Sequence, residues 1–342
     1  MKTIYYFIDD ECLDGRERFR YKKAVILMGT NATGTTSRGK ALLKIITYIN
    51  TGKPTVLYDM VAGNTGSFTI DFVNEGFVLH RLTANIDVAA SNVDILYSST
   101  KIDKMDSYEK CVVKLEDHTD EAIARMNSLK MIVGSLSYRF AYPEIESSIL
   151  LDDIDRDVFL KTLRAVIGTL DPTLREVTIS RDLKDTFIIR RKNAEIIIQQ
   201  GKLLNREVLS SGTAEGIDVA IFLASMLAKD KTFYYCDEHF SYIQSDIEKR
   251  IFGLMLDRIS NNEQLIFTTH NTDMLDLNLP KHSYMFLRKK VEDGECKVSA
   301  VSASEILKRN TDSIRNAVEN DVFGSLPDDS LLDELELGWG DE

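Results

Sequence analysis

The chain is poor in cysteine and proline, and it lacks a long uninterrupted apolar run. Only 4 cysteines and 5 prolines occur among 342 residues. The cysteines stand far apart in the sequence, which argues against a zinc site built on paired cysteines and is typical of a reducing cytosol. Because no apolar run approaches the ~20 residues that span a bilayer, and acidic residues interrupt the N-terminal stretch, we expect a cytoplasmic protein without a targeting segment.

Positive charge is scarce relative to negative charge. Lys and Arg together number 42 against 54 Asp and Glu, so the formal net charge is −12. This balance argues against attraction of the whole surface to nucleic acid or anionic lipid, although the count does not address a local basic groove. The length suits one large domain or two modest ones.

The apolar periodicity predicts the fold class. Alternating apolar residues on both sides of Asn74–Gly76 predict a β-hairpin over about residues 66–82, and a helical period that stops at Asp171-Pro172 predicts a helix. Beyond residue 175 helices and strands alternate; the predicted segments are 186–190, 195–199, 217–227, 233–236, 247–259, 265–268 and 283–287. This alternation predicts an α/β protein with a mixed, mainly parallel sheet covered by helices.

A glycine-rich turn follows the apolar strand Ala24–Met28 and precedes a helix. Backbone N–H groups of such a loop, with the helix N-terminus behind them, bind phosphate oxygens. By the G-x-x-x-x-G-K-[ST] pattern, Thr35 stands at the lysine position and Thr36 at that of the magnesium-binding hydroxyl. Taken alone, the segment also fits a turn with a helix cap. The predicted nucleotide-binding residues are Gly29, Asn31, Gly34, Thr35, Thr36 and Ser37.

A Ser-Ser-Gly sequence, Ser210, Ser211 and Gly212, stands at the start of a strongly apolar helix. As an isolated feature it would be an ordinary helix start. Its position directly before a mostly buried helix makes the motif more informative.

Two adjacent carboxylates, Asp237 and Glu238, end the aromatic strand that begins at Phe233. Consecutive side chains of a strand point to opposite faces, so the two acids can perform different tasks. The alternative is an acidic turn after a strand.

A histidine, His270, ends the next predicted buried strand, one helical crossover after the carboxylates. Parallel strands connected in this way present their carboxyl ends at the same edge of the sheet, where open α/β sheets bind ligands. A lone histidine would more often be a satisfied core or surface residue. Following the Asp-Glu strand, we interpret it as a site residue.

These four motifs occur in the order found in ABC-class ATPases, and residues 22–290 resemble that class. The resemblance implies ATP and Mg²⁺ as cofactors, Thr36 and Asp237 as magnesium-binding residues, Glu238 as general base and His270 as the switch histidine on the γ-phosphate. It also implies that Ser210, Ser211 and Gly212 close over the nucleotide of a second subunit, and that Ile243–Asp246 crosses the dimer interface.

Within that class the long interval between the phosphate loop and Ser210 resembles AAA-labelled ATPases related to the overcoming-lysogenisation-defect proteins, many of which serve in phage defence. The resemblance implies a homodimer or higher assembly that acts on a separate effector protein, such as a nuclease or toxin. We expect four parts: ATPase core 1–116, helical insert 117–175, ATPase core 176–312, and an acidic C-terminal segment 313–342 that is either a solvated tail or a docking peptide.

Thr35 departs from the family pattern, since threonine supplies no positive charge to the phosphates. Losing one electrostatic group of this kind commonly costs about 10² to 10³ in rate, which predicts slow or absent hydrolysis. Lys40 lies five positions further along the helix, rotated by about 140° and displaced by roughly 7 Å, so it is a poor replacement. Arg38 is closer but on the wrong side of the helix start.

Four functions are consistent with these features. The leading interpretation is an ATP-gated dimeric switch for a separate effector, and the second is a scaffold that does not hydrolyse ATP. A transporter-associated ATPase is disfavoured by the long insert, and a DNA-maintenance or repair ATPase is disfavoured because the insert is too short for a long coiled coil.

Overall fold

The computed structural model of the chain describes residues 11–29, 33–74, 76–120, 136–142, 154–174, 176–180, 182–183, 185–191, 194–199, 202–204, 206–228, 231–292, 295–309 and 311–326. Asn31 of the predicted phosphate loop and nearly all of the acidic end of the chain, 327–342, lie outside these residues.

The strands in chain order are β1 Cys12–Leu13, β2 Arg16–Arg20, β3 Ala24–Gly29, β4 Thr65–Val73, β5 Val78–Asp87, β6 Asn92–Lys101, β7 Glu116–Asp117, β8 Tyr138–Ala141, β9 Glu176–Ile179, β10 Thr186–Arg191, β11 Ala194–Gln199, β12 Lys202–Leu203, β13 Phe233–Asp237, β14 Gln264–Thr268, β15 Tyr284–Glu292 and β16 Glu295–Ser302. The α-helices are α1 Thr35–Thr51, α2 Thr55–Tyr58, α3 Tyr108–Val113, α4 Arg156–Leu170, α5 Ser211–Ala228, α6 Ser245–Arg258, α7 Ala303–Ile306 and α8 Ile314–Glu319.

A six-stranded sheet forms the centre of the fold, in the order β16-β15-β3-β14-β13-β8. Every neighbouring pair is parallel except β15 with β16, so the predicted α/β architecture with a mixed, mainly parallel sheet is confirmed. In this register Thr268 of β14 pairs with both Leu27 and Asp237. The carboxyl ends of β3, β14 and β13 therefore lie side by side at one edge of the sheet.

Helix α5 is the principal core helix of the sheet. It is apolar on almost every side, and thirteen of its residues are buried, from Thr213 to Met226. Fully burying a side chain such as Phe222 stabilises the fold by about 1.5–3 kcal/mol. The same helix is long and apolar enough to cross a membrane, but 72% of that window is buried inside the fold, as in the core helix of a globular domain.

A second, antiparallel sheet, β4-β5-β6-β7, packs its apolar face against α1 and α2. The predicted hairpin corresponds to β4 and β5, which pair from Thr65–Asp87 to Val73–Leu79. At its turn the Asn74 carboxamide oxygen accepts hydrogen bonds from the backbone N–H groups of residues 76 and 78 at 3.2 and 3.3 Å. An asparagine that bonds to the backbone two residues on favours such a turn.

A third sheet, β12-β11-β10-β9, supports α4 beside the core helix. Asp155 caps α4 by accepting hydrogen bonds from the N–H groups of Asp157 and Val158, and the helix ends at Leu170, before Asp171-Pro172 as predicted. Phe159 of α4 meets Phe187 of β10 edge to face at 4.7 Å, which fixes the helix on this sheet.

The range 117–175, predicted to be a helical insert, contains more than helix in its described part. Strand β8 pairs with β13 and forms an edge of the central sheet, and α4 follows it. Residues 121–135 and 143–153 lie outside the described residues, so the domain boundaries stay predictions.

Residues 313–326, placed in the acidic C-terminal segment, pack on the core. Phe323 is 1% exposed and stacks on Phe286 of β15 at 4.0 Å between ring centroids. Arg315 of α8 bonds to the carboxylate of Asp276. In the described part of this segment, the chain therefore remains attached to the sheet up to about residue 326.

Candidate functional site

The carboxyl edge of the central sheet carries the predicted phosphate loop. Gly29 closes β3, and Gly34 precedes α1 with φ 83°, a left-handed conformation that favours glycine. Helix α1 begins at Thr35, so the free N–H groups of its first turn point to this edge. Ser37 is exposed on that first turn.

Thr36 and Asp237 are in direct contact. The Thr36 hydroxyl donates to Oδ2 of Asp237 at 2.6 Å, and the Thr268 hydroxyl donates to Oδ1 at 2.7 Å. Asp237 is fully buried, and burial raises the pKa of its carboxyl, against the two hydrogen bonds that lower it. A hydroxyl and a carboxylate in contact are hard oxygen ligands of the kind that Mg²⁺ prefers.

No cage of protein ligands surrounds that pair. Among the described residues there is no group of three or more histidine, cysteine or acidic side chains that could hold a metal. A Mg²⁺ ion bound by Thr36 and Asp237 would therefore take its other ligands from phosphate and water, as is usual for this ion.

Glu238 has a constrained backbone and two side-chain partners. Its φ of 49° is unusual for a residue with a side chain, and its N–H is held by the carbonyl and hydroxyl oxygens of Thr268 at 3.2 and 3.1 Å. Its Oε1 lies 2.9 Å from Nε2 of His270 and accepts from the Thr35 hydroxyl at 3.1 Å. Backbone conformations of this kind are often found at functional sites.

Glu238 and His270 perturb each other's protonation. The hydrogen bond from His270 lowers the pKa of the Glu238 carboxyl, and the same contact raises the pKa of the imidazole. His270 also hydrogen-bonds to the backbone of Gly29. The histidine thus connects the start of the phosphate loop to the carboxylate at the end of β13.

Thr35, which the loop pattern places at the lysine position, begins helix α1. It is 7% exposed, its hydroxyl contacts Glu238, and its carbonyl accepts from the hydroxyl of Tyr235 at 3.0 Å. Lys40 lies near enough to lower the pKa of Asp237. Arg38 instead donates to the carbonyl of Val298 on β16.

The predicted signature residues lie at the start of α5, and their contacts differ from those of the phosphate loop and the two carboxylates. The Ser210 hydroxyl caps the helix by accepting from the N–H of Thr213 at 3.2 Å. Ser210 and Ser211 are exposed. Gly212 faces the backbone of Tyr242, in the loop that follows Glu238.

The structure thus brings Gly29, Thr35, Thr36, Asp237, Glu238 and His270 together at one edge, whereas Gly212 of the predicted signature contacts the loop beyond Glu238. Sequence reasoning missed Thr268, which bonds to both acidic residues, and Tyr235, which holds the backbone of Thr35. The Thr-Thr pair before His270 was a usable sequence clue to Thr268. Nothing in the local sequence indicates the contact made by Tyr235.

A cavity of about 350 Å³ adjoins the carboxylate and the histidine. Its walls come from the loop after β13, the start of α6 and the turn after β14; the lining residues are Glu238, Phe240, Ser241, Ile243, Ser245, Glu248, Thr269, His270 and Asn271. The predicted interface segment Ile243–Asp246 therefore borders the same edge of the sheet.

The fold is similar to that of SMC head domains. A Smc head bound to the C-winged helix domain of ScpA matches with 15% identity and a TM-score of 0.51, over 84% of this chain and 93% of that chain. The SMC head domain from Thermotoga maritima matches at 15% identity, TM-score 0.41, over 85% and 97%. A Smc head domain with an extended coiled coil, bound to the C-terminal domain of ScpA derived from Pyrococcus furiosus, matches at 12% identity, TM-score 0.48, over 84% and 92%.

The first of these likenesses shows that this chain has the α/β fold of a Smc head domain. No protein-family model matches the sequence, and no curated protein matches it.

Proposed function

We propose that this chain binds ATP with Mg²⁺ at the carboxyl edge of the central sheet and acts as a nucleotide-gated switch. The observation that supports this most is the 2.6 Å contact between the Thr36 hydroxyl and Asp237, next to the 2.9 Å contact between Glu238 and His270. A helix start suited to phosphate, a pair of oxygens suited to magnesium and a carboxylate–histidine pair meet there.

The proposed binding mode follows from the chemistry of each group. The phosphates lie against the Gly34 turn and the first N–H groups of α1, where the helix dipole favours negative charge. Thr36 and Asp237 hold the Mg²⁺ ion, which would neutralise charge on the β- and γ-phosphates. His270, held at Gly29, is placed to contact the γ-phosphate, and Glu238 to orient and deprotonate the attacking water.

Hydrolysis at this site is proposed to be slow. Residue 35 supplies a hydroxyl where phosphoryl transfer calls for a positive charge, and that hydroxyl is bound to the carboxylate that would act as base. The pKa of Glu238 is lowered, which makes it a weaker base still. The site is therefore better suited to holding ATP than to consuming it rapidly.

The switch is proposed to work as a homodimer in which each signature turn closes over the nucleotide of the other subunit. Ser210 and Ser211 are exposed at a helix N-terminus, and Tyr242 beside them is 71% exposed. Tyrosine is one of the residue types that contribute most to the binding energy of protein interfaces. Tyr242→Ala should weaken ATP-driven dimerisation while leaving ATP binding unchanged. Val113→Ala, at an 87% exposed position on α3, is the matched control.

A separate partner protein completes the proposal. The Smc head of similar fold is bound to a domain of another polypeptide, ScpA, and the sequence resemblance to phage-defence ATPases favours an effector as the partner here. Co-purification separates the alternatives: an effector protein supports the switch, whereas DNA would favour a maintenance or repair ATPase.

The proposal is tested by equilibrium ATP binding with and without Mg²⁺, using the full chain, Asp237→Asn and the exposed-site control Asp257→Asn. Wild type and control should bind ATP more tightly with Mg²⁺, because Asp237 would help to hold the metal that neutralises phosphate charge. Asp237→Asn should lose that enhancement. Equal Mg²⁺ dependence in all three proteins would show that the metal is not held at this edge.

A further inference from the structure

A buried carboxylate joins the predicted signature turn to the loop that follows Glu238. Glu215, in the second turn of α5, is 6% exposed. Its Oε1 accepts from the backbone N–H of Ser241 at 3.2 Å, and its Oε2 accepts from that of Tyr242 at 2.8 Å. Both oxygens are thus used, and both bind main chain.

A second contact lies one turn earlier on the same helix. Gly212 is so close to the loop that a Cβ atom there would stand 2.6 Å from the carbonyl oxygen of Tyr242. The helix start and the loop therefore touch at two points, once by hydrogen bonds and once by direct backbone contact. Two contacts of this kind prevent the loop from sliding along the helix.

The loop is in turn fixed to the carboxylate residue of the site. The Ser241 hydroxyl donates to the carbonyl oxygen of Glu238 at 3.0 Å. Glu238 is held with φ 49°, a conformation that needs support from its surroundings. A displacement of residues 241 and 242 is thereby transmitted to the backbone that orients the Glu238 side chain.

Burial of this carboxyl group is costly. Burial raises the pKa of Glu215, while its two backbone hydrogen bonds lower it. A buried anion is tolerated where it is fully hydrogen-bonded, and removing it would leave two backbone donors near the helix without their acceptors. An apolar residue would avoid the burial of a charge but would leave both N–H donors unpaired, which indicates that the bonds themselves have a role.

We propose that Glu215 is a positioning residue that couples the signature turn of a subunit to the same subunit's own Glu238. The inference rests on the proposed function, in which the signature turn closes over the nucleotide of the partner subunit. Closure at one nucleotide site then sets the position of the carboxylate at the other, so that the two sites of the dimer respond together.

The coupling is measured by amide hydrogen exchange of the full chain with and without ATP and Mg²⁺, alongside ATP binding and ATP-driven dimerisation. In the wild type, ATP should slow exchange both in 210–216 and in 238–244. Glu215→Gln keeps the size of the side chain and one acceptor oxygen, but it places an NH₂ group against one of the two N–H donors.

In Glu215→Gln, exchange in 238–244 without ATP should be about tenfold faster, ATP binding should change by less than about twofold, and ATP should protect 210–216 alone. The control Asp257→Asn, an exposed carboxylate on α6, should behave as wild type. A merely structural role would lower the melting temperature without separating the two responses.

Two outcomes overturn the inference, and they differ. If the wild type neither binds ATP nor dimerises, the proposed function is wrong and the coupling falls with it. If the wild type does both and Glu215→Gln still protects 238–244 on ATP addition, as the control does, the proposed function stands and only the coupling is wrong.

Discussion

Replacement of Thr35 by lysine is the perturbation that most directly tests the phosphate loop. Residue 35 is the first residue of α1, is nearly buried, and directs its side chain at Glu238, 3.1 Å away. A lysine ammonium in that direction would lie among the carboxylate, the histidine and the proposed phosphates. It would supply the positive charge that threonine does not provide at this position.

The expected size of the effect follows from electrostatics. A single preorganised charge or donor aimed at a transition-state oxyanion is worth about 10² to 10³ in rate, or about 2.7–4 kcal/mol. Without nucleotide, an ammonium about 4 Å from Glu238 would gain up to about 4 kcal/mol at an effective dielectric constant of about 20, before desolvation is subtracted. The variant should therefore fold, pair with Glu238 when empty, and turn ATP over 10² to 10³ times faster.

Steady-state phosphate release measures this change, with ATP binding followed separately. Thr35→Met is the control, because it has comparable length, no charge and no hydroxyl. Adding Glu238→Gln to Thr35→Lys should abolish the gained turnover while leaving ATP bound. Equal turnover in Thr35→Lys, Thr35→Met and the wild type, with ATP bound in each, would refute the assignment of the loop.

Two further predictions concern the supports of the site. Gly39→Ala should lower the free energy of unfolding by about 1–3 kcal/mol, since its Cβ would stand 2.6 Å from the buried ring of Tyr235. Gly168→Ala, whose Cβ would meet no atom within 4 Å, should raise the free energy of unfolding by about 0.5–1 kcal/mol. Urea unfolding measures both changes. The pKa of His270 is raised above 6.5 and that of Glu238 is lowered below 4.5. The ion pair therefore contributes its full stabilisation of the folded state between pH 4.5 and pH 6.5. Unfolding of His270→Gln against wild type should differ most at about pH 5–6, and the difference should vanish as pH rises through the pKa of the folded imidazole.

The elements that a local pattern can specify were predictable from the sequence. The buried strands of the sheet are short apolar runs with turns after them, and the antiparallel hairpin and α4 have clear periods and end residues. Because parallel strands connected by helices place their carboxyl ends together, the sequence also predicted which strand ends would meet. The approach of Thr36 to Asp237 follows from that topology.

Contacts between distant segments that do not follow from this strand topology were not predictable. Strand β8 is only four residues long, and its place in the central sheet depends on pairing with β13, about a hundred residues later in the chain. Residues 313–342 were predicted as an acidic C-terminal segment, and within it Phe323 packs against Phe286, so that burial of an aromatic side chain competes there with solvation of the neighbouring charges. Composition alone does not resolve that balance.

The contact between Thr35 and Glu238 also bears on how the proposed site would keep its structure with threonine at the lysine position. In a site with lysine, the ammonium would neutralise the carboxylate when no nucleotide is bound. Here a hydroxyl and His270 share that task, and the pKa of Glu238 stays low, so the carboxylate needs no further cation to remain charged. A site of this design loses rate before it loses structure, because Thr36, Asp237 and Thr268 are held by their own hydrogen bonds. ATP-dependent closure, rather than turnover, is therefore the output that we expect to be intact in the unmodified chain.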